Sequence, residues 1–312
     1  MDKSSIKIIF MGTPSISAQV FERMILDGYH FVGLVAQPDR PVGRKKILEP
    51  VPAKKVAEKY NIPVFQPLKI RHDYDFLKEL KPDLIITLAY GQIVPQGVLD
   101  IPQYGCLNLH GSLLPKYRGA SPIQAALIND ENVTGVTLME MTAKMDAGRM
   151  YAKEIVNIDP KDNSTSLFEK ISLAAGDLIL RELPNYLDNK LIGEPQNEDE
   201  ATFCYTIKDD EEKLNLENGV HTLLGWIRAL SEEPGAYLYF DNEILKIYDA
   251  AIANDKVEGQ VGEIVKADKN GLYLQCKDGQ LALLSLKQQG KNKMDYKSFI
   301  NGHQNILGKT LK

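Results

Sequence analysis

The sequence has three cysteines, a single tryptophan and no long apolar run. Cys106, Cys204 and Cys276 are an odd, widely spaced set without metal-ligand spacing, so neither a disulfide framework nor a metal site is predicted. A reducing compartment suits free thiols, and a cytoplasmic protein is expected. No stretch approaches the roughly 18 to 20 consecutive apolar residues that span a bilayer, and Ile6–Met11 is too short for the apolar region of a secretory signal. No membrane partner is therefore expected.

A strong overall charge is also missing, since the net charge is −5 at pH 7. Divided along the chain, however, lysine and arginine against aspartate and glutamate sum to +1 over residues 1–190, −11 over 191–260 and +5 over 261–312. Residues 40–59 alone carry seven basic and two acidic side chains. Because basic segments can act locally, the global charge does not exclude nucleic acid, and these two basic stretches are candidate phosphate contacts.

The first half of the chain alternates strand and helix patterns. Ile6–Met11 has the β-branched content of a buried strand, after which Thr13 is expected to cap a helix with Pro14 at its first position. Further strands are predicted at Phe31–Ala36, Leu84–Leu88, Cys106–Leu109, Val136–Met141 and Met150–Val156, and helices after Pro95, at Pro122–Ile128 and at Ser166–Tyr186. This alternation predicts an α/β, doubly wound Rossmann-like domain over residues 1–190.

The pattern changes after a polar, acidic segment. Gly193–Glu200 has no apolar periodicity and is the best linker candidate, so residues 191–207 are interpreted as a linker. Short strands separated by Gly, Asp and Asn turns follow at Ala236–Phe240, Ile244–Tyr248, Gly262–Lys266, Leu272–Cys276 and Gln280–Leu286. Successive short strands without intervening helices predict a small OB-like β-barrel over residues 208–312.

The segment from Cys106 to Gly119 carries the first candidate chemistry. Because side chains alternate along a strand, Asn108 and His110 share one face at its end. Two polar groups at the end of a strand otherwise suited to burial are costly unless they are paired or used, and ligands of open α/β sheets bind outside the carboxyl ends of the strands. The residues alone leave two readings open, a binding or catalytic pair and a satisfied polar pair in a turn.

A second segment, Gly135–Gly148, reads as a strand that runs into a loop. The loop holds one carboxylate, Asp146, shortly before Gly148. An aspartate near a glycine is ordinarily explained by turn chemistry, so Asp146 does not indicate a function by itself.

Together the two segments resemble the formyltransferases that use 10-formyltetrahydrofolate. The family pattern is Asn-x-His, then Ser-Leu-Leu-Pro, then a Gly-Val-Thr strand that ends at Asp-x-Gly. This sequence has Asn108 and His110, Ser112–Pro115, a strand beginning at Gly135, and Asp146. All elements stand in the same order.

Within that family the chain is similar to the members that act on initiator methionyl-tRNA. The matching segments, which lie in both halves, are Ile9–Pro14, Gln37–Lys46, Lys116–Ile123, Gln289–Met294 and Phe299–Gly302. The resemblance implies two partners, initiator methionyl-tRNA and a reduced folate, with 10-formyltetrahydrofolate as the formyl donor and no metal. A monomer is expected.

The resemblance also implies roles for the three polar residues. Asn108 would donate to the formyl oxygen as negative charge develops there, and His110 would move the proton of the attacking amine near neutral pH. For Asp146 two roles stay open: it would orient or charge-stabilise His110, or take the amine proton directly or through water.

Binding residues are implied in the same way. The expected folate wall is Leu88, Ala89, Tyr90, Ser112, Leu113, Leu114 and Pro115. The expected tRNA contacts are Arg40, Arg44, Lys45 and Lys46 in the first half and Lys287, Lys291 and Lys293 near the end. Core packing would equally explain Leu113 and Leu114, and a solvated basic loop would explain Lys45 and Lys46.

Three rival functions are weighed against this reading. A formyltransferase for a purine precursor ribonucleotide or an amino sugar would need neither a basic loop nor an added barrel. A nucleotide-binding oxidoreductase would share the fold, but the first turn, Met11–Ile16, lacks the Gly-x-Gly-x-x-Gly phosphate cradle. A non-catalytic tRNA-binding module would have no use for Asn108, His110 and Asp146.

Overall fold

The computed structural model describes residues 3–42 and 47–312. Up to the linker, the described strands are β1 (Lys7–Gly12), β2 (His30–Val35), β3 (Arg40–Val42), β4 (Ile47–Glu49), β5 (Val64–Phe65), β6 (Leu84–Leu88), β7 (Cys106–His110), β8 (Arg118–Gly119), β9 (Val133–Glu140) and β10 (Met150–Asn157). The helices are α1 (Ser15–Leu26), α2 (Pro52–Lys59), α3 (Asp75–Leu80), α4 (Gln96–Leu99), α5 (Pro122–Ile128) and α6 (Ser164–Leu187).

The main sheet of this part has the strand order β10-β9-β7-β6-β1-β2-β5. The pairs β1–β2, β2–β5, β1–β6 and β6–β7 are parallel, whereas β9 and β10 add in antiparallel fashion. β1 is buried at every residue except Lys7, and β6 is buried throughout, as expected of strands covered on both faces. The predicted α/β, Rossmann-like fold is confirmed, with an antiparallel extension beyond β7.

The start of α1 differs from the prediction. The helix begins at Ser15, Pro14 occupies the capping position, and no side chain caps it. The hydroxyl of Thr13 instead donates to the carbonyl of Tyr90 at 3.1 Å. Thr13 therefore ties the first turn of the sheet to the end of β6 and does not cap the helix.

After α6 the chain forms a second, antiparallel sheet. A short strand, β11 (Phe203–Cys204), first pairs in parallel with β8. The elements that follow it are α7 (Val220–Leu230), β12 (Ala236–Phe240), β13 (Glu243–Asn254), β14 (Ile264–Asp268), β15 (Gly271–Gln275), β16 (Gln280–Gln288), β17 (Met294–Asp295) and α8 (Tyr296–Gly302). The strand order is β12-β13-β16-β15-β14, and β17 pairs with β16. α7 and α8 place Leu223, Ile227 and Phe299 in the core of this sheet. The predicted second domain of antiparallel strands is confirmed.

The chain divides into two compact units. The first comprises residues 1–119, 133–157 and 168–204, and the second comprises residues 120–132, 158–167 and 205–312. The domain boundaries predicted from sequence, at 190/191 and 207/208, stay predictions. Among the residues described, no helix is long and apolar enough to cross a membrane.

Candidate active site

Asn108 and His110 stand at the carboxyl end of β7, where the parallel part of the sheet meets its antiparallel extension. The register places Thr87 of β6 opposite Asn108 and Thr137 of β9 opposite His110. Asn108 is half-buried, and His110 is only 5% exposed. This is the edge at which open α/β sheets bind ligands.

The side chain of Asn108 is oriented by its neighbour on β6. The Thr87 hydroxyl donates to Asn108 Oδ1 at 2.8 Å. Because the carboxamide oxygen is used in this way, the Nδ2 group is the donor that Asn108 can offer to a ligand.

The imidazole of His110 is oriented by a backbone carbonyl. Its Nε2 lies 2.8 Å from the carbonyl oxygen of Tyr117, which can only accept, so Nε2 carries a proton. Nδ1 is consequently the nitrogen at which a proton can be gained or lost. It lies 3.7 Å from Asp146 Oδ2, so that uptake of a proton at Nδ1 produces a cation beside a carboxylate.

Two neighbouring residues hold Asp146 in place, one by a hydrogen bond to its side chain and the other by a hydrogen bond to its backbone carbonyl. Its Oδ2 accepts from the Gly119 N–H at 2.9 Å, and its backbone carbonyl accepts from Gln196 Nε2 at 2.8 Å. Its φ of +49° lies in the left-handed region, which aspartate adopts more readily than most non-glycine residues. The carboxylate therefore has a fixed position beside His110.

Part of the predicted folate wall lies on the turn after β6. Leu88 is buried, whereas Ala89 is exposed and has a φ of +49°. Tyr90 is buried, and within residues 3–42 and 47–312 its hydroxyl has no hydrogen-bond partner. Burial raises the pKa of Tyr90 far above its ordinary range, so the phenol stays protonated. The turn thus has an exposed residue, Ala89, next to a buried Tyr90 whose hydroxyl makes no hydrogen bond within the described residues.

The other part of the predicted wall is the turn after β7. Ser112 and Leu114 are fully buried, and the Ser112 hydroxyl donates to the carbonyl of Lys116 at 2.6 Å. Leu113 and Pro115 are half-buried. Ser112 and Leu114 hold the turn in shape, while Leu113 and Pro115 keep surface for a ligand. Folate contact by these four residues stays a prediction.

The predicted tRNA contacts that the structure describes are one arginine on β3, which pairs with β4, and three lysines on or after β16. Arg40 is exposed on β3, but Arg44, Lys45 and Lys46 lie outside the described residues. Lys287 is half-buried on β16. Lys291 and Lys293 are exposed in the turn that follows, where Lys293 pairs with Glu232 at 2.7 Å. Their role in tRNA binding stays a prediction.

Sequence reasoning missed three groups that orient the predicted trio. They are the Thr87 hydroxyl, the carbonyl of Tyr117 and the carboxamide of Gln196. Thr87 is the one polar residue in Leu84–Leu88, a signal that could have singled it out. Tyr117 acts through its backbone, and Gln196 lies in a polar segment, so neither has a distinctive pattern.

The chain matches two family models over most of its length. Residues 6–183 match the formyl transferase family, and residues 206–304 match the formyl transferase C-terminal domain. Among solved structures, HypX from Aquifex aeolicus in complex with tetrahydrofolic acid is 16% identical, with a TM-score of 0.66 over 97% of this chain and 48% of that chain. WlaRD, a sugar 3N-formyl transferase, is 18% identical, with a TM-score of 0.66 over 93% of this chain and all of that chain. These structures support the fold.

The curated relatives are nearer in sequence. The methionyl-tRNA formyltransferase of Malacoplasma penetrans is 39% identical over 307 residues, which cover 98% of this chain and 96% of that protein. The match runs through the Asn-x-His segment, the Asp146 loop and the antiparallel C-terminal sheet. The chain belongs to the methionyl-tRNA formyltransferase family.

Proposed function

We propose that the protein transfers the formyl group of 10-formyltetrahydrofolate to the free α-amino group of initiator methionyl-tRNA, acting in the cytoplasm as a monomer. The observation that carries the proposal is the arrangement of His110, whose Nε2 is fixed by a carbonyl and whose Nδ1 faces Asp146 at 3.7 Å. Membership of the methionyl-tRNA formyltransferase family supports initiator methionyl-tRNA as the formyl acceptor. The structure of HypX contains tetrahydrofolic acid, which supports a folate as the donor.

Asn108 supplies the donor for the charge that develops during transfer. Attack of an amine on a formyl carbon places negative charge on the formyl oxygen. With Oδ1 accepting from Thr87, the Nδ2 group of Asn108 is the donor that can meet that oxygen. A preorganised donor of this kind contributes about 10² to 10³ in rate.

His110 and Asp146 handle the proton. The α-amine must be neutral when it attacks, and its ordinary pKa of about 7.7 to 8.0 makes this a modest requirement near neutral pH. As the new C–N bond forms, the amine loses a proton, which Nδ1 of His110 can accept and return to the departing folate nitrogen. The carboxylate of Asp146 stabilises the imidazolium that exists between these two transfers.

The turn after β6 offers a fit for a pterin. Ala89 and Gly91 are exposed and both have positive φ, which brings backbone close to any ligand at this edge. The Tyr90 carbonyl is used by Thr13 and Gln37, so the turn has a fixed shape. A heterocycle needs an apolar slot with backbone donors and acceptors at its rim, which Leu113 and this turn can provide.

Formyl transfer to purified initiator and elongator methionyl-tRNA tests the function. We expect transfer to the initiator tRNA with 10-formyltetrahydrofolate as donor, and a far lower kcat/KM with the elongator tRNA. An amino sugar nucleotide and a purine precursor ribonucleotide serve as competing acceptors. Formylation of either in preference to the tRNA would contradict the proposal.

A further prediction concerns binding of methionyl-tRNA by the basic loop that contains Arg44, Lys45 and Lys46. Changing Arg44, Lys45 and Lys46 to alanine is expected to raise the KM for methionyl-tRNA and to leave the KM for the folate unchanged, because these cations are proposed to meet phosphate groups. Each lost phosphate contact also lowers the slope of log affinity against log salt by about one unit. The measurement is the KM for each substrate at several salt concentrations.

The control for the loop is a pair of basic residues, Lys78 and Lys81, that stand shortly before β6. Lys78→Ala with Lys81→Asn removes charge there, and asparagine suits the left-handed φ of +48° at position 81. The control is expected to behave as the parent. A change in the folate KM of the loop variant would place the loop at the donor site.

The antiparallel sheet carries a second proposed tRNA contact. Its register aligns Tyr237, Lys246 and Lys287 in a row across β12, β13 and β16. Lysines directly opposite one another are unfavourable, and an anion such as a phosphate would relieve their repulsion. Lys291 and Lys293 follow in the next turn, where Lys293 pairs with Glu232, and Lys297 is exposed on α8; we propose that these three lysines continue the contact beyond the row.

Changing Lys287, Lys291, Lys293 and Lys297 to alanine is therefore expected to weaken tRNA binding and to reduce its salt dependence. Initiator and elongator tRNA should be affected alike, because phosphate contacts position a nucleic acid without reading its sequence. The matched control changes four exposed lysines of the same unit, namely Lys256, Lys269, Lys277 and Lys309. Titration of both tRNAs at two salt concentrations is the measurement, and equal affinity of the two variants at low salt would refute the contact.

A further inference from the structure

The acidic segment from Glu194 to Cys204, here called the strap, lies against the candidate active site within one compact unit. At its start, Glu194 and Met150 exchange backbone hydrogen bonds of 2.9 and 2.8 Å. At its end, β11 pairs in parallel with β8. The strap is thus fixed at one end to β10, which follows the Asp146 loop, and at the other to β8, which follows the turn after β7.

Gln196 connects the strap to the loop of Asp146. Its Nε2 donates to the carbonyls of Asp146 and Gly148, at 2.8 and 2.9 Å. Its Oε1 accepts from Arg118 Nε at 2.9 Å. Two carbonyls on one side and a guanidinium on the other fix the orientation of the carboxamide.

Arg118 is the anchor for this arrangement. Its side chain is fully buried, and it donates in bidentate fashion to Glu198 at 2.9 and 3.2 Å. Arg118 lowers the pKa of Glu198 from its ordinary value to about 2, with help from Lys144, so Glu198 is ionised near neutral pH. A buried guanidinium needs such a partner, and Gln196 and Glu198, whose side chains accept its hydrogen bonds, belong to the strap.

Thr202 connects the strap to His110. Its hydroxyl accepts from the Tyr117 N–H at 2.8 Å, and its carbonyl accepts from the Arg118 N–H, also at 2.8 Å. Tyr117 has a φ of +59° and presents the carbonyl that holds His110 Nε2. The position of this carbonyl therefore depends on the strap.

We propose that the strap positions the catalytic pair, Gln196 by fixing Asp146 and Thr202 by fixing His110 through Tyr117. The proposal rests on the proposed function of His110 and Asp146. Its physical basis is that Asp146 and Tyr117 both have left-handed backbones, a conformation that is strained for tyrosine and that hydrogen bonds from the surroundings hold in place. Among the strap's hydrogen bonds, one from Gln196 is made to Asp146 and one to Thr202 comes from Tyr117. Displacement of a catalytic group by about 1 Å can lower a rate 10²-fold.

Four variants of the full chain test the proposal. Gln196→Met keeps the length of the side chain without its polar head, and we expect kcat to fall about 10- to 100-fold while KM for both substrates stays within about twofold. Thr202→Val, which lacks the hydroxyl, should lower kcat in the same way, whereas Thr202→Ser should restore it. Asn197→Ala, a strap residue whose side chain bonds to Asp199 and Glu200, is the control and should match the parent.

Combined with Asp146→Ala, these variants distinguish a failure of the strap proposal from a failure of the proposed function. In an Asp146→Ala background, Gln196→Met should add little further loss, because the residue that it positions is gone. A large loss with Asp146→Ala but parent-like kcat with Gln196→Met and Thr202→Val would overturn the strap and keep the function. Parent-like activity of Asp146→Ala would overturn both. If Gln196→Met does not fold, the comparison of Thr202→Val with Thr202→Ser decides, and equal activity of those two would refute the role of Thr202.

Discussion

Replacing His110 by alanine is expected to lower kcat for formyl transfer at least about 100-fold, the scale of one lost proton-transfer group. The reason is geometric, since His110 presents Nδ1 toward Asp146 and no other group in the motif combines that position with proton transfer near neutral pH. Asn108→Ala and Asp146→Ala are expected to cause losses of at least about 100-fold, because each removes one charge-stabilising contact. Single-turnover transfer to initiator methionyl-tRNA is the measurement.

The fold should survive these changes, since Asn108 and His110 stand at the carboxyl end of β7 and Asp146 lies in the loop between β9 and β10. Thermal unfolding of each variant checks this. The control is His221→Ala, which removes an exposed histidine of the second unit that pairs with Asp130. It should keep the parent activity. Near-normal turnover of any one of the three active-site variants would remove that residue from the mechanism.

Gly119→Ala is expected to lower the free energy of unfolding by at least about 2 kcal/mol and to abolish most activity. Gly119 has a φ of +120°, and a Cβ there would overlap the carbonyl oxygen of Cys204 in the paired strand β11. Relief of the overlap requires β8 and β11 to separate. Because the Gly119 N–H also donates to Asp146 Oδ2, separation of the strands would displace the carboxylate as well.

Gly302→Ala is the matched control, because a Cβ at Gly302 meets nothing within 4 Å. Chemical denaturation of both variants measures the stabilities, and formyl transfer measures the activities. Equal stability of the two variants would contradict the close approach of β8 and β11. A destabilised Gly119→Ala enzyme with parent kcat would contradict the dependence of Asp146 on this contact.

The strands that carry the trio could be predicted because their signals are local. Leu84–Leu88 is apolar except for Thr87, and the alternation in Cys106–His110 places Asn108 and His110 on one face. The juxtaposition of Asp146 with His110 followed from the family resemblance and not from the residues. The structure brings them together because β9 pairs with β7 in antiparallel fashion. The alternation of strands and helices in the sequence predicted a parallel sheet and did not indicate this pairing.

Helix α7 was missed although its signal is present. Val220, Leu223 and Ile227 recur at helical spacing, but Gly225 in the middle weakens the pattern. The glycine is explained by packing, since a Cβ there would lie 2.6 Å from the carbonyl oxygen of Leu127 in α5. Close approach of two helices separated by about 100 residues is a tertiary property, which a local pattern does not contain.

The hydrogen bonds of the strap limit where the chain can be cut without loss of the active site. The strap's acidic, turn-rich composition suggests a cut near Gly193, but a chain that ends there would lack Gln196, Glu198 and Thr202 and would leave Arg118 buried without these partners. The smallest portion able to keep its chemistry ends no earlier than Cys204. Gene fusions, circular permutations and exchanges of the C-terminal half between relatives should therefore place their junction at or beyond Tyr205, and insertions between Glu194 and Cys204 should be among the least tolerated in the chain.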